Sequence, residues 1–212
     1  MKKKLSILLT AFMLIAMLAG CGNKFSPDEN AIYIKKDGKV VQVSMESLDQ
    51  SYYDEDELEQ YINDEIDAYD GGENSSVKLQ NFKVKDGVAD LQLEFDSYET
   101  YSDFNGRVLF AGTVAQAIAA GYDFEQNFTS ITDAESSDAA WSRDSSGNAV
   151  GDASSADISS LLEANCVITG EQLQVKVAGT ITYVSSEGTK MISKDTVKAG
   201  RTDGELTYII YE

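Results

Sequence analysis

Two Asp-Gly pairs, each set between runs in which every second residue is apolar, constrain this chain more than any other feature. Asp37-Gly38 lies between Ile32 and Ile34 on one side and Val41 and Val43 on the other. Asp86-Gly87 follows Val77, Leu79, Phe82 and Val84 and precedes Val88, Leu91, Leu93 and Phe95. A period of two sends alternate side chains to one face of a strand, and Asp-Gly tolerates the positive φ of a tight turn. Each unit therefore predicts an antiparallel hairpin. The alternation slips between Leu79 and Phe82, which predicts a bulge.

Between the hairpins the period changes. In "DEDELEQYINDEIDAYDGG", Asp54 followed by Glu57 resembles a capping box, and Leu58, Tyr61, Ile62, Ile66 and Tyr69 share one helical face before Gly71-Gly72. This predicts a helix. Farther on, a short strand is expected at Val108 to Phe110, a compact helix from about Thr113 to Ala120 ending at Gly121, and a short helical stretch from Ile158 to Ala164. Strands follow at "CVIT", "LQVKVAG", "TITYVSS", "TKMIS" and "ELTYIIY". The fold class this implies is α+β, a mostly antiparallel sheet built from hairpins with one or two helices packed on it, occupying residues 31–212 as one domain. Within it, Ser, Ala, Asp and Gly supply 20 of the 25 residues from 133 to 157. So little apolar surface predicts a long mobile loop.

The N-terminus has a different logic. Lys2, Lys3 and Lys4 precede an apolar run from Leu5 to Leu18 broken only by Ser6 and Thr10, the layout of a secretory signal. The run is too short to span a bilayer comfortably. It ends in Leu18-Ala19-Gly20-Cys21, which resembles the bacterial lipobox. The resemblance implies cleavage before Cys21, lipid on its sulfur, and attachment to the outer face of a bacterial cell membrane. Two acyl chains at about 0.8 kcal/mol per buried CH₂ make a lasting anchor. Residues 21–30 are then expected as a lipidated tether, of which Gly22 to Asn30 reaches at most about 30 Å.

Charge narrows the partners. The chain has 17 basic and 36 acidic residues, a formal net charge of −19, and losing the three signal lysines takes it to −22. Phosphate backbones and anionic lipid heads repel such a surface, so nucleic acid is not an expected partner and electrostatic docking on a membrane is disfavoured. Solubility is the ordinary reading; cationic ligands or calcium are the sharper one, and the oxygen-bearing "DSSGNAVGD" at 144–152 only loosely resembles a calcium loop. There is no histidine, which removes Ser-His-Asp and Cys-His arrangements. With Cys21 acylated, Cys166 has no disulfide partner and reads as a buried, inert thiol. No zinc site or cofactor is expected and no metal-ligating residue is singled out, while a calcium-dependent structural module stays open as a third reading. A carboxylate pair of the glycosidase kind stays open as an enzyme reading, although no pair is singled out by position.

The aromatic candidates for binding are Tyr98 and Tyr101, spaced with Phe104 so as to present ring faces to a glycan or peptide, and Trp141, an interface-type anchor inside the polar segment. Core packing is the competing fate for all of them. The stretches "AIYIKKDGKV…SYYDEDELEQYI" and "FNGRVLFAGTVAQAIAAGYDF" are similar to small surface lipoproteins of Gram-positive gut clostridia, a resemblance that supplies no site residues. The resulting expectation is a lipid-anchored extracytoplasmic protein that binds an envelope glycan, peptide or protein without catalysis. The alternative is a carboxylate-dependent cell-envelope hydrolase.

Overall fold

The computed structural model describes residues 25–48, 54–70, 76–126, 128–131, 153–154, 157–185, 189–200 and 205–212. Over these the chain is mostly sheet with some helices, and its strands form two sheets rather than the one expected. The larger sheet has seven strands, β1 (Ala31–Ile34), β2 (Val40–Ser47), β3 (Val77–Lys85), β4 (Val88–Phe95), β9 (Gln174–Val177), β11 (Thr189–Ser193) and β12 (Thr196–Ala199). They run in the order β11-β12-β9-β1-β2-β4-β3. The smaller sheet has six, β5 (Leu109–Thr113), β6 (Phe128–Ser130), β7 (Ala153–Ser154), β8 (Asn165–Thr169), β10 (Ile181–Ser185) and β13 (Thr207–Tyr211), ordered β5-β8-β13-β10-β6-β7. Among the described pairings only β1 with β9 is parallel.

Both hairpins form where the Asp-Gly pairs put them. Asp86 and Gly87 take φ of 53° and 75°, so two left-handed residues in succession turn β3 into β4. Gly38 sits at φ 85° between β1 and β2. The register shift in β3 lies between Leu79 and Asn81, at the predicted slip. The expected strand at Val108 to Phe110 is displaced to Leu109–Thr113, and the stretch from Ile158 narrows to a single 3-10 turn at Ile158–Ser160.

Helix α1 (Glu55–Asp70) begins with the Glu57 amide donating to Asp54 Oδ1 at 3.0 Å. Helix α2 (Tyr98–Asn105) was not expected. Its ends are nonetheless well signalled: the Ser97 side chain accepts from the Thr100 amide, and Gly106 closes it at φ 62°. Helix α3 (Val114–Ala119) carries a full capping box, with the Gln116 amide donating to Thr113 Oγ1 at 3.2 Å and the Thr113 amide to Gln116 Oε1 at 2.8 Å.

Register sorts the larger sheet into two faces. Cross-strand partners share a face, so Ile34, Val40, Phe95, Val77 and Val177 point one way, here called inward. Part of that face packs against Val167, Val184 and Ile209 of the smaller sheet, and the same cluster takes in Tyr101 of α2 and Ile66 of α1. The far side of the smaller sheet builds a second cluster, in which Cys166, Ile168, Phe128 and Tyr208 meet Val114 and Ala117 of α3. Cys166 is fully buried and unpaired among the described residues, and burial pushes its thiol up to about 12.

On the outward face, Val41 and Val43 are only 4% and 2% exposed. What covers that side is the segment expected to hang free. Phe25 packs on Tyr33 with ring centroids 5.5 Å apart, Glu29 pairs with Lys198 and accepts from Gln174 Nε2 at 2.7 Å, and Asn30 Oδ1 receives the Met45 amide at 2.7 Å. Residues 25–30 of the expected tether therefore lie on the sheet. The chain ends as tightly: a Cβ on Gly179 would stand 2.2 Å from the Glu212 carbonyl oxygen, where Thr180 and Glu212 exchange backbone hydrogen bonds of 2.7 and 3.0 Å.

Candidate functional site

Helix α1 lies over the β4 and β3 end of the inward face, and it is held there lightly. Of its described side chains only Ile66, at 6% exposure, is buried, while Leu58 and Ile62 are half-buried. The Glu55 carboxylate adds one tie, accepting from the Val84 amide at 3.2 Å on the edge strand β3. The aromatic members of the stripe do not close on the sheet. Tyr61 is 60% exposed and Tyr69 39%.

Beneath them an open groove of about 450 Å³ runs between helix and sheet. Tyr61, Ile62 and Tyr69 line it from α1, Leu91 and Leu93 from β4, and Phe104 from α2. Tyr69 meets Phe104 edge-on, 5.4 Å between centroids at 80°, and Phe104 rests on Phe95 at 5.6 Å. Glu65 brings a carboxylate into the lining. Around it, α1 carries eight acidic residues and no basic one. Acids suit the first helical turn, where Glu55, Asp56 and Glu57 stand, but Asp67 and Asp70 sit at the C-terminal end, where the helix dipole is already negative. Among the described residues no base pairs with these acids, so the helix carries negative charge beside apolar surface. The arrangement can take up apolar side chains and attract cations.

The residues singled out from sequence fare differently. Tyr101 is fully buried, edge-on to Phe95 at 5.2 Å, and its hydroxyl donates to Glu171 Oε1 at 2.7 Å. Burial and that carboxylate push its phenol well above the usual range. It has no ring face to offer a ligand, so packing is its role. Tyr98 is half-buried between the two core clusters, 5.1 Å from Phe110, with its phenol pushed up to about 12 by burial and by Glu99. The third ring of that spacing, Phe104, is the one that reaches the groove. Cys21, Trp141 and all but the β7 residues and Asp157 of the 133–157 segment lie outside the described residues.

No aspartate or glutamate is among the buried residues of the described chain. Likewise, no group of three His, Cys, Asp or Glu side chains among the described residues is placed to hold a metal ion. Glu94 of the larger sheet and Asp195 between β11 and β12 are instead paired with lysines on its outward face. Glu94 takes Lys35 at 2.6 Å and Lys39 at 3.0 Å, and Asp195 takes Lys176, Ser193 and Thr196. Burial raises the Glu94 carboxyl, but its two ammonium partners outweigh that and hold it below the usual carboxylate range. Asp195 is likewise raised by burial and held low by Lys176 together with the Ser193 and Thr196 hydroxyls.

The groove's residues were visible in the sequence only as core. Tyr61, Ile62 and Tyr69 fell on the apolar stripe of a helix, and Leu91 and Leu93 on the inward face of a strand. What could have flagged them is the combination of two tyrosines in that stripe with an opposite face made of acids and amides, which leaves the helix poorly suited to lie deep in a core. In comparisons with known proteins, no family model, curated protein or solved structure matches this chain.

Proposed function

We propose that this is a lipid-anchored protein of the outer face of a bacterial membrane, and that it binds the apolar face of cationic amphipathic peptides in the groove between α1 and β4. The observation that carries the binding reading is the open aromatic groove on a helix with eight acids and no base. Apolar side chains at helical spacing would enter between Tyr61, Leu91 and Phe104, and the partner's lysines or arginines would face α1, as helix-in-groove recognition requires. Opposite charge would raise the association rate and make it sensitive to salt. The signal layout ahead of Cys21 supports the anchor.

Two experiments separate the parts. Replacement Cys21→Ala is expected to release the protein from membranes and remove its lipid mass; a variant that stays bound, with wild type unlipidated, defeats the anchor. For the groove, titration with a lysine and leucine amphipathic peptide is expected to give binding that weakens with salt and is lost in Tyr61→Ala, while the glutamate and leucine counterpart gives none. Equal binding of both peptides would defeat the groove reading. Oligosaccharide binding in the same assay, lost in Tyr61→Ala, would replace the peptide by a glycan.

A further inference from the structure

The outward face of the larger sheet gathers lysine in a chain of net charge −19. Register places Lys78, Lys83, Lys176, Lys190 and Lys198 there, on the side opposite Leu91 and Leu93 of the groove. Glu94, Asp96, Asp195 and Glu29 pair with Lys35, Lys39, Lys78, Lys176 and Lys198, and Asp90 stands opposite Lys83 in register, so that the face keeps a small excess of lysine. Lys83 and Lys190 are exposed and make no ion pair among the described residues. The same face receives the chain's entry. Phe25 lies on Tyr33 and Glu29 on Lys198, and Cys21 is four residues ahead of Phe25, a span of at most about 14 Å.

We propose that this outward face is the surface the protein turns toward the bilayer, where Lys83 and Lys190 meet the phosphate groups of anionic phospholipids while α1 and its groove point away. The proposal rests on lipid attachment at Cys21. Given that anchor, Phe25 cannot stand farther than its short span from the headgroups. The field of an anionic surface fades over about 8 Å at physiological ionic strength, so only the part of the protein nearest the lipid responds to it. Although the chain as a whole is repelled by anionic lipid, a face with a small excess of ammonium groups is accepted there. Helix α1, with its eight acids, is repelled, and it lies on the other side of the sheet, one packed layer or about 10 Å away. Anchor position and charge distribution thus select the same orientation, and it leaves the groove open to the medium.

The test uses the full-length, lipidated protein in vesicles of phosphatidylglycerol mixed with phosphatidylcholine. A spin label is attached at Lys190→Cys on the outward face or at Glu65→Cys on α1, Cys166 being buried and Cys21 carrying lipid. Relaxation by a nickel chelate on the lipid headgroups is expected to be several-fold stronger for the Lys190→Cys label. Pure phosphatidylcholine, or adding Lys83→Glu, is expected to shrink that contrast. Equal relaxation of the two labels, a stronger effect at Glu65→Cys, or a contrast unchanged in pure phosphatidylcholine would each overturn the proposal. A protein that carries no lipid mass and does not join vesicles would overturn it together with the anchor, which distinguishes the two failures.

Discussion

The two faces of the larger sheet are built by the same strands and finished in opposite ways. Outward, lysines toward the two edges of the sheet pair with acids, and the chain's own Phe25–Asn30 segment seals the central valines. Inward, over β4, an acidic helix stands off from two leucines and leaves tyrosine rings in the open. Apolar area explains why the first arrangement is closed, and charge explains why the second is not. Ile66 is the one described α1 residue that is fully enclosed, whereas Tyr101, Phe95 and Phe104 interlock α2 with the sheet. A helix with eight like charges gains little by lying deeper, because each carboxylate would lose its water. The difference between a sealed face and an open one can therefore be broken by substitution, and the expected effects scale with how much core each residue shares.

Phe95→Ala should do most harm, because Phe95 supports α2, β2 and β3 together. A loss of about 3–5 kcal/mol is expected, measured by denaturant unfolding, with both regions failing in one transition. Ile66→Ala should separate the regions. It is expected to cost about 2–3 kcal/mol, at the low end for such truncations because the helix can shift, and hydrogen exchange should show α1 amides opening while β1 and β2 amides stay protected. Loss of protection in β1 and β2 to the same extent would mean that α1 is part of the common core. Tyr61→Ala removes an exposed ring, so its stability should stay within about 0.5 kcal/mol of wild type while peptide affinity falls at least about tenfold.

The outward lattice gives the smallest effect, and its sign follows from its carboxyls. Glu94, Asp195 and Glu29 are held below their ordinary values in the folded chain, the last by Gln174 and Lys198, so the unfolded chain takes up protons first on acidification. Their contribution is complete above the ordinary glutamate value of 4.5 and is lost as pH falls below it through the lower folded values. Protonation also relieves the chain's overall negative charge, so the comparison must be with Glu94→Gln. That variant should lower the melting temperature at neutral pH, by under about 1 kcal/mol in stability, and should converge with wild type in acid. A gap that widened in acid would contradict the lattice.

Much of this was legible in the sequence, for reasons particular to each element. Asp37-Gly38 and Asp86-Gly87 announce their turns because few residue pairs accept such φ values, and the bulge near Leu79 showed as a break in alternation. Helix α2 was missed because its aromatic spacing was read as display rather than as helical contact, although Ser97 and Gly106 mark its two ends. Strand β12 was missed because "TVKA" is too short to show a period. That the strands split into two sheets could not be read at all: β1 pairs with β9 across more than a hundred residues of chain, and only packing decides that partner. The groove was hidden for a simpler reason, since an apolar stripe looks the same whether it closes or stands open.

The most direct test of the difference between the faces is to map amide chemical shifts of the protein while adding the lysine and leucine amphipathic peptide. Changes confined to α1, Leu91, Leu93 and the neighbourhood of Phe104 are expected, with β1, β9 and β12 unmoved. Changes centred on Lys83, Lys176 and Lys198, or none at saturating peptide, would contradict the assignment of binding to the inward groove.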